Sequence, residues 1–375
     1  MYYLASVLIL QQHPTAMLVW LVCLMLVGGI LSARIGAVAG LAVWAGVALP
    51  LLHWCLGYGS PEWLVPGLAT VAGIYLIALA ANLHGTMGRD EPSDPGLADI
   101  AWLHLNGLAT FAAAYFLIDP ISISAIAEVA AGFALWQGVL AAIVVKHQRD
   151  QALHFVALGF TLLTIAVALQ FDGPVVTVAW ATEGAVVVAL GLRERRAWLR
   201  VGGVLLLALA VERAVAMVFT DAPVNQVVLL NPRAACAAWI ATLCYLLAWL
   251  HYRDPEAPDR DFGIGAGLVT AQVVVLSLLT SEINAYWAVR EGHFARELMM
   301  SATWGVYATV LILIGLIKRY APIRYFAMIV FAVTIVKVFA VDMAELDRIY
   351  RVSSILGLGI LLLVTSYLYN RSRRT

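Results

Sequence analysis

The chain has 375 residues, of which 63% are hydrophobic and only 12% are charged. Ordinary soluble domains contain about 45–50% apolar and about 25% charged residues, so the composition excludes a water-soluble globular protein. Basic and acidic residues are equal in number, 23 of each. The overall charge therefore gives no indication of nucleic acid or of an acidic partner.

Thirteen segments are predicted to cross a membrane as helices. A helical span needs about 20 mainly apolar residues, and segments of this length and composition are unlike the short alternating strands of an outer-membrane barrel. The fold class is thus an all-α polytopic integral membrane protein, with residues 1–11 as a partial helix too short to span. The predicted spans are 15–32, 35–56, 62–83, 99–118, 122–145, 151–171, 174–192, 198–219, 234–251, 262–285, 298–317, 323–341 and 352–370.

The basic residues predict the orientation of these spans, because Lys and Arg favour cytoplasmic loops. If the first span enters from outside, 16 of the 23 basic residues lie in connections on one side and five on the other. Arg213 and Lys337 fall within spans. The split predicts a cytoplasmic C-terminus.

Two groups of residues recur at identical spacing, which indicates an internal repeat. Each copy is predicted to contain a helix, a short basic cytoplasmic turn, a second helix with a cation near its outer end, and a third helix. Both copies run in the same direction, so the repeat is parallel. Duplication and independent use of the same hairpin pattern both account for it. The matched residues are Trp180, Gly191, Arg195, Arg200 and Arg213 in the first copy, and Trp304, Gly315, Arg319, Arg324 and Lys337 in the second.

The predicted spans and the repeat divide the chain into six parts. A polar segment with several Pro and Gly residues, 84–98, is predicted to be a solvated cytoplasmic linker. The parts are an N-terminal helical group (1–83), the linker (84–98), middle helices (99–171), repeat unit one (174–253), a connecting helix with its loops (254–297) and repeat unit two (298–375).

Several motifs resemble the large bacterial predicted membrane proteins grouped as domain of unknown function 2339. These are Trp180-Ala-Thr-Glu-Gly184 with Gly191-Leu-Arg193, Asn231-Pro-Arg233, Lys337-Val-Phe-Ala-Val-Asp342 and the stretch from Gly357 to Tyr369, with a weaker echo at Gly46-Val-Ala-Leu-Pro50. Members of the family usually have a longer N-terminal part. The resemblance implies a multi-pass protein of a bacterial cytoplasmic (inner) membrane, and it implies no catalytic residue.

Charged residues within spans are functional candidates, because an ionisable group in hydrocarbon costs about 2.5–3.5 kcal/mol on insertion scales. These charges all fall in the predicted outer halves of their helices, which predicts a polar cavity that opens outward. Glu282 is a shallower member of the same group. The candidate polar site comprises Glu183, Arg213, Glu212, Glu128, Lys337 and Asp342, with Asp119, Asp172, Asp221 and Arg233 at its rim.

Glu183 and Arg213 lie on successive antiparallel helices, at depths of about 13 Å and about 9 Å at 1.5 Å per residue. They are predicted to form a buried ion pair, which either holds the helix register or belongs to a solvent-lined site. Lys337 is close to the end of its helix and is predicted to snorkel outward, towards Asp342.

Other polar residues give weaker signals. His104 and Asn106 are expected to hydrogen-bond to neighbouring helices, and His147 with His154 makes an improbable metal pair because the first lies in a turn. The sequence has no GxxxxGK[ST], GxGxxG, HExxH or GxSxG motif. No cofactor, metal, nucleotide or nucleic acid is predicted, and the expected partners are membrane lipid and other envelope proteins.

Three functions remain open. A transporter or a carrier of lipids or envelope precursors fits the parallel repeat and the charges near one face. A structural or assembly protein of the cell envelope needs no site. A membrane-embedded enzyme acting on an envelope lipid or glycan is the third, although no pair of carboxylates has the spacing of an acid and a base. Enzymatic activity is the less favoured expectation.

Overall fold

The computed structural model describes residues 14–57, 61–87, 95–219, 227–288, 290, 292–342, 356–357 and 359–366. These residues form helices, turns and connections, and no strand. The helices are α1 (Pro14–Ile35), α2 (Ala37–Gly57), α3 (Pro61–Met87), α4 (Leu97–Ile118), α5 (Ile123–Val144), α6 (Arg149–Gln170), α7 (Pro174–Arg193), α8 (Ala197–Ala216), α9 (Pro232–Arg253), α10 (Arg260–Trp287), α11 (His293–Ile317) and α12 (Ala321–Lys337). A 3₁₀ turn, Met217–Phe219, extends α8, and a π-helical turn, Val338–Asp342, extends α12.

The all-α multi-span class is confirmed. Ten helices in the described parts of the chain are long and apolar enough to cross a membrane. The remaining two of α1–α12 are α1, whose apolar stretch Met17–Ser32 is shorter, and α8, which carries Arg200, Glu212 and Arg213. Each of the first twelve predicted spans coincides with one helix. The thirteenth is helical at 356–357 and 359–366, and the predicted partial helix at 1–11 lies outside the described residues.

The chain forms two compact units, residues 1–172 and 173–375. In the first unit, α1–α4 bury one core around Met25, Trp54 and Trp102. A second core around Phe111, Ile126 and Phe155 joins α3 and α4 to α5 and α6. The first unit ends just before the predicted start of repeat unit one.

The predicted linker 84–98 connects helices that pack together within the first unit. The Asn82 side-chain amide on α3 donates a hydrogen bond to the Asp99 carbonyl on α4 (3.1 Å), and Gln151 on α6 donates to the Asn82 side-chain oxygen (3.0 Å). Helix α3 continues to Met87, so the segment that it leaves before α4 is shorter than predicted. Residues 88–94 lie outside the described chain.

In the second unit, α7 and α8 approach so closely that their backbones touch. A Cβ atom added at Gly184 would lie 2.7 Å from the Leu207 nitrogen, and one added at Gly203 would lie 2.6 Å from the Val188 nitrogen. Helices α9 and α10 complete this core around Ile240. The α11–α12 pair buries its own apolar clusters.

The two predicted repeats share the same turn geometry. Helices α7 and α11 end at equivalent positions, and Arg195 and Arg319 both adopt positive φ angles, 58° and 54°. After α7, the Arg196 N–H donates to the Gly191 carbonyl and the Arg195 N–H to the Leu192 carbonyl; the equivalent residues after α11 form the same two bonds. This is the Schellman pattern, which satisfies the last carbonyls of a helix. The identical caps support the predicted repeat. Of its second copy, the third helix is described only at 356–357 and 359–366.

The close contact of α7 and α8 predicts opposite effects at two adjacent glycines. Gly203→Ala places a methyl group against backbone atoms that cannot move away independently, so we expect destabilisation of about 1–3 kcal/mol. Gly202→Ala, where an added Cβ meets nothing within 4 Å, is neutral or stabilises the helix by up to about 1 kcal/mol. Thermal unfolding of both purified variants in detergent measures the difference. Equal unfolding midpoints contradict the close backbone contact.

Candidate functional site

The predicted outer end of the second unit is the end at which α7, α9 and α11 begin and α8, α10 and α12 end. Three groups of polar side chains lie there. They are centred on Arg213, on Lys337 and on Glu282.

Arg213 on α8 contacts two residues in the first two turns of α7. Its Nε atom lies 3.4 Å from Thr177 Oγ1, and its guanidinium carbon lies 5.5 Å from the centroid of the Trp180 ring, a cation–π distance. Thr177 is fully buried. The Arg213 side chain therefore extends along α7 towards the predicted outer end.

Glu183 lies deeper on α7 and is only 6% exposed. The contacts found for Arg213 are with Thr177 and Trp180, and its predicted pairing with Glu183 stays a prediction. A long cationic side chain near a helix end reaches towards the interface, where a hydroxyl and an indole ring face it. Glu183 is a buried acid, one turn further along α7 than Trp180.

Lys337 is held between α11 and α12. Its Nζ atom lies 2.9 Å from Glu297 Oε2, donates to Ser301 Oγ at 2.9 Å and lies 3.3 Å from the Glu297 carbonyl oxygen. The side chains of Lys337 and Glu297 are each only 13% exposed. Arg296 also contacts the Glu297 carboxylate, at 3.0 Å.

The acid found beside Lys337 is Glu297. The predicted approach of Lys337 to Asp342 stays a prediction, because the Asp342 side chain lies outside the described residues. Glu297 was missed because the predicted span began at residue 298, whereas α11 begins at His293. Glu297, Ser301 and Trp304 follow one another at helical spacing along α11, and that periodicity was the available signal.

The repeat extends to these contacts. Thr177 and Ser301 occupy equivalent positions, as do Arg213 and Lys337, so a cation from the second helix meets a hydroxyl on the first helix in both copies. The copies differ at Glu297, whose equivalent is Gly173, the N-cap of α7. The carboxylate therefore belongs to the second copy alone.

Glu282 near the end of α10 organises the connection that leads into α9. It is 5% exposed, and its two oxygens accept hydrogen bonds from the Asn231 side chain and from the Leu229 N–H, both at 2.7 Å. Asn231 in turn caps α9 by accepting a bond from the Ala234 N–H (2.9 Å). A buried carboxylate with these two donors holds the loop in place.

The remaining predicted site residues are distributed more widely. Glu128 lies in the second turn of α5 and Glu212 in the last turns of α8, and both are exposed. Asp119 and Asp172 are exposed residues of connections in the first unit, Arg233 is half-buried in the first turn of α9, and Asp221 lies outside the described residues. The structure therefore gathers Arg213, Lys337 and their contacts in one unit, whereas Glu128, Asp119 and Asp172 belong to the other.

The polar residues of the first unit join neighbouring helices, as expected for His104 and Asn106. His104 Nε2 on α4 lies 3.2 Å from His154 Nδ1 on α6. The Asn106 side chain accepts a bond from Trp44 Nε1 (3.0 Å) and donates one to the Tyr75 carbonyl (3.2 Å). His104 and His154 thus contact each other although they lie 50 residues apart in the chain, and the sequence did not predict this contact.

At the predicted cytoplasmic end of the second unit, the basic turn after α7 binds the acidic connection between α9 and α10. Arg195 forms two hydrogen bonds with Asp254, at 2.6 and 3.0 Å. Arg200 Nε lies 2.9 Å from Asp259 Oδ2. These ion pairs fix the α7–α8 pair to the connection between α9 and α10.

Comparison with known proteins gives a family match over the C-terminal part of the chain. Residues 200–372 match the family described as Predicted membrane protein (DUF2339), which confirms the resemblance noted in the sequence for the C-terminal portion. No curated protein and no solved structure matches the chain. The matched region includes Arg213, Glu282, Glu297 and Lys337, and it begins after Glu183. The chain is therefore a membrane protein with several spans, and the family description names no activity.

The contact of Lys337 with Glu297 predicts a measurable coupling. In a double-mutant cycle with Glu297→Gln and Lys337→Gln, we expect a coupling free energy of about 1–3 kcal/mol, because either single change leaves a largely buried charge without its partner. Chemical or thermal unfolding in detergent measures it. Arg195 with Glu256, whose side chain is 84% exposed, is the control pair, with a coupling below about 1 kcal/mol. Additive effects at 297 and 337 contradict the pairing.

Proposed function

We propose that the chain is a carrier of a polar or lipid-linked molecule in a bacterial cytoplasmic (inner) membrane, with its C-terminus in the cytoplasm. Its working site lies at the predicted outer end of α7, α8, α11 and α12. The observation that carries this proposal is the Lys337 ammonium of α12, which contacts Glu297 and Ser301 on α11 and belongs to a side chain that is only 13% exposed. A charge in such a place is costly and is a functional candidate by default.

The chemistry of this group suits exchange with an anionic substrate. The Lys337 ammonium contacts the Glu297 carboxylate, the Glu297 carbonyl and the Ser301 hydroxyl, and a phosphate or carboxylate can take the place of the Glu297 carboxylate. Arg213 with Thr177 offers a second cation and hydroxyl at the equivalent position of the first repeat. The outward-facing polar cavity is part of this proposal.

A structural or assembly role in the envelope is the second candidate. It is favoured by the ion pairs of Arg195 with Asp254 and of Arg200 with Asp259, and by the hydrogen bonds of Glu282 to the loop before α9. These contacts hold helix ends together and require no substrate. Thiol labelling at position 301 separates the two candidate functions.

Access of water to the proposed site predicts thiol reactivity. In a background in which Cys23, Cys55, Cys236 and Cys244 are replaced, we expect Ser301→Cys to react with a membrane-impermeant maleimide added from outside. The reaction is expected to be faster when Glu297→Gln weakens the contact with Lys337. Labelling is followed by a gel shift in intact cells.

Ala308→Cys is the matched control, because Ala308 lies two turns deeper on the same helix and is fully buried. It should stay unlabelled in both backgrounds. Protection of Ser301→Cys equal to that of Ala308→Cys, with or without Glu297→Gln, contradicts the carrier and favours the structural role.

The proposed orientation is tested with reporters. The excess of basic residues in alternate connections predicts that a fluorescent protein fused after Thr375 is bright and that alkaline phosphatase fused at the same place is inactive. A fusion of each reporter within the polar segment 84–98 is the internal control, since it should report the same side. Active phosphatase at the C-terminus contradicts the orientation.

A further inference from the structure

A cavity of about 270 Å³ lies in the second unit, between α11, α12 and the helical segment 359–366. Its wall is almost entirely apolar, with Phe331, Ile335 and Leu362 among its residues. Three polar residues, Arg324, Thr365 and Ser366, also line it. This cavity is separate from the group around Lys337.

The polar and apolar parts of the cavity are arranged along the helix axis. Arg324, Met328, Phe331 and Ile335 follow at helical spacing, so they share one face of α12 over about 16 Å. Arg324 is in the first turn of α12, at the predicted cytoplasmic end, and Thr365 and Ser366 lie at the same predicted end of their own segment. The cavity is thus amphipathic, with its cation at the membrane boundary and its apolar part within the span.

The repeat shows why this cation is unusual. Arg324 is equivalent to Arg200, and in each copy a glycine, Gly191 or Gly315, makes room for the arginine side-chain stem. Arg200 is 8% exposed and pairs with Asp259 at 2.9 Å. Within the described chain, Arg324 has no carboxylate within ion-pair distance.

The surroundings of Arg324 add positive charge. Lys318 and Arg319 form the turn just before α12 and are both exposed. A cationic turn at the membrane boundary attracts anionic lipids. A zwitterionic headgroup is attracted less, because its own ammonium is repelled by the same cations. The hydroxyl of Thr365 is already used, because it donates to the Leu361 carbonyl at 2.8 Å.

We propose that this cavity binds an anionic phospholipid. The Arg324 guanidinium donates hydrogen bonds to the lipid phosphate, with the Ser366 hydroxyl as a second donor, and an acyl chain lies along Phe331, Ile335 and Leu362. The lipid phosphate supplies the negative charge that Asp259 supplies to Arg200 in the first repeat. The apolar length of the cavity favours a lipid over a free phosphate ion. This site is independent of the carrier function proposed above.

The test measures binding of phosphatidylglycerol to the purified full chain in a neutral detergent, by native mass spectrometry, with phosphatidylcholine for comparison. We expect preference for phosphatidylglycerol and about a tenfold loss of its affinity in Arg324→Gln, the scale of a lost charge-assisted hydrogen bond. Lys318→Gln is the matched control, because it removes a positive charge from the same end of the helix pair and Lys318 does not line the cavity. The affinity of this variant for phosphatidylglycerol should change less than about threefold.

Two further measurements test lipid binding even if the Arg324→Gln variant fails to fold. Ala332→Trp fills the cavity from an exposed position of α12 and leaves every charge in place, so it should reduce binding at an unchanged unfolding midpoint. An excess of inorganic phosphate should not displace the lipid. Equal losses in Arg324→Gln and Lys318→Gln, unchanged binding in Ala332→Trp, or displacement by inorganic phosphate would each overturn the proposal.

Discussion

The cost of an uncompensated charge in a low-dielectric environment governs the second unit. Three largely buried charges, on Arg200, Lys337 and Glu282, lie near the ends of spans and each meets a partner from another element. Arg200 meets Asp259, Lys337 meets Glu297 and Glu282 meets Asn231. Because desolvation makes a missing partner expensive, these contacts set the register of α7–α12 and the positions of their connections.

The repeat places similar residues in dissimilar roles. Both copies have the same helix cap, with an arginine in the left-handed region, and both bring a cation to a hydroxyl near the predicted outer end. The two copies differ in which of their cations has a carboxylate partner. The first copy has Asp259 for its cytoplasmic arginine, whereas the second has Glu297 for its outer lysine. The two copies thus share a framework and differ in the charges at its ends. The Lys337 group of the proposed carrier site and the proposed lipid site both lie in the second copy.

The length and hydropathy of its segments let the sequence predict the helices well, because both reflect the thickness of the membrane. The sequence also predicted the two basic turns, since the spacing of Gly191, Arg195 and Arg200 is repeated in full at Gly315, Arg319 and Arg324. The contact partners of the charged side chains were harder to predict. The sequence suggested Glu183 for Arg213 and Asp342 for Lys337. It did not reveal the contacts of Arg213 with Thr177 and Trp180 or of Lys337 with Glu297, because these depend on side-chain direction and on the earlier start of α11.

The sequence by itself determined the membrane class, the order of the helices, the repeat and the residues worth attention, because these depend on composition and local spacing. Only the tertiary structure decided which side chains meet. Contacts such as Arg200 with Asp259 and His104 with His154 join residues far apart in the chain, and no local pattern records them. The cavity beside Arg324 is of the same kind, since it exists only where α11, α12 and the segment 359–366 come together.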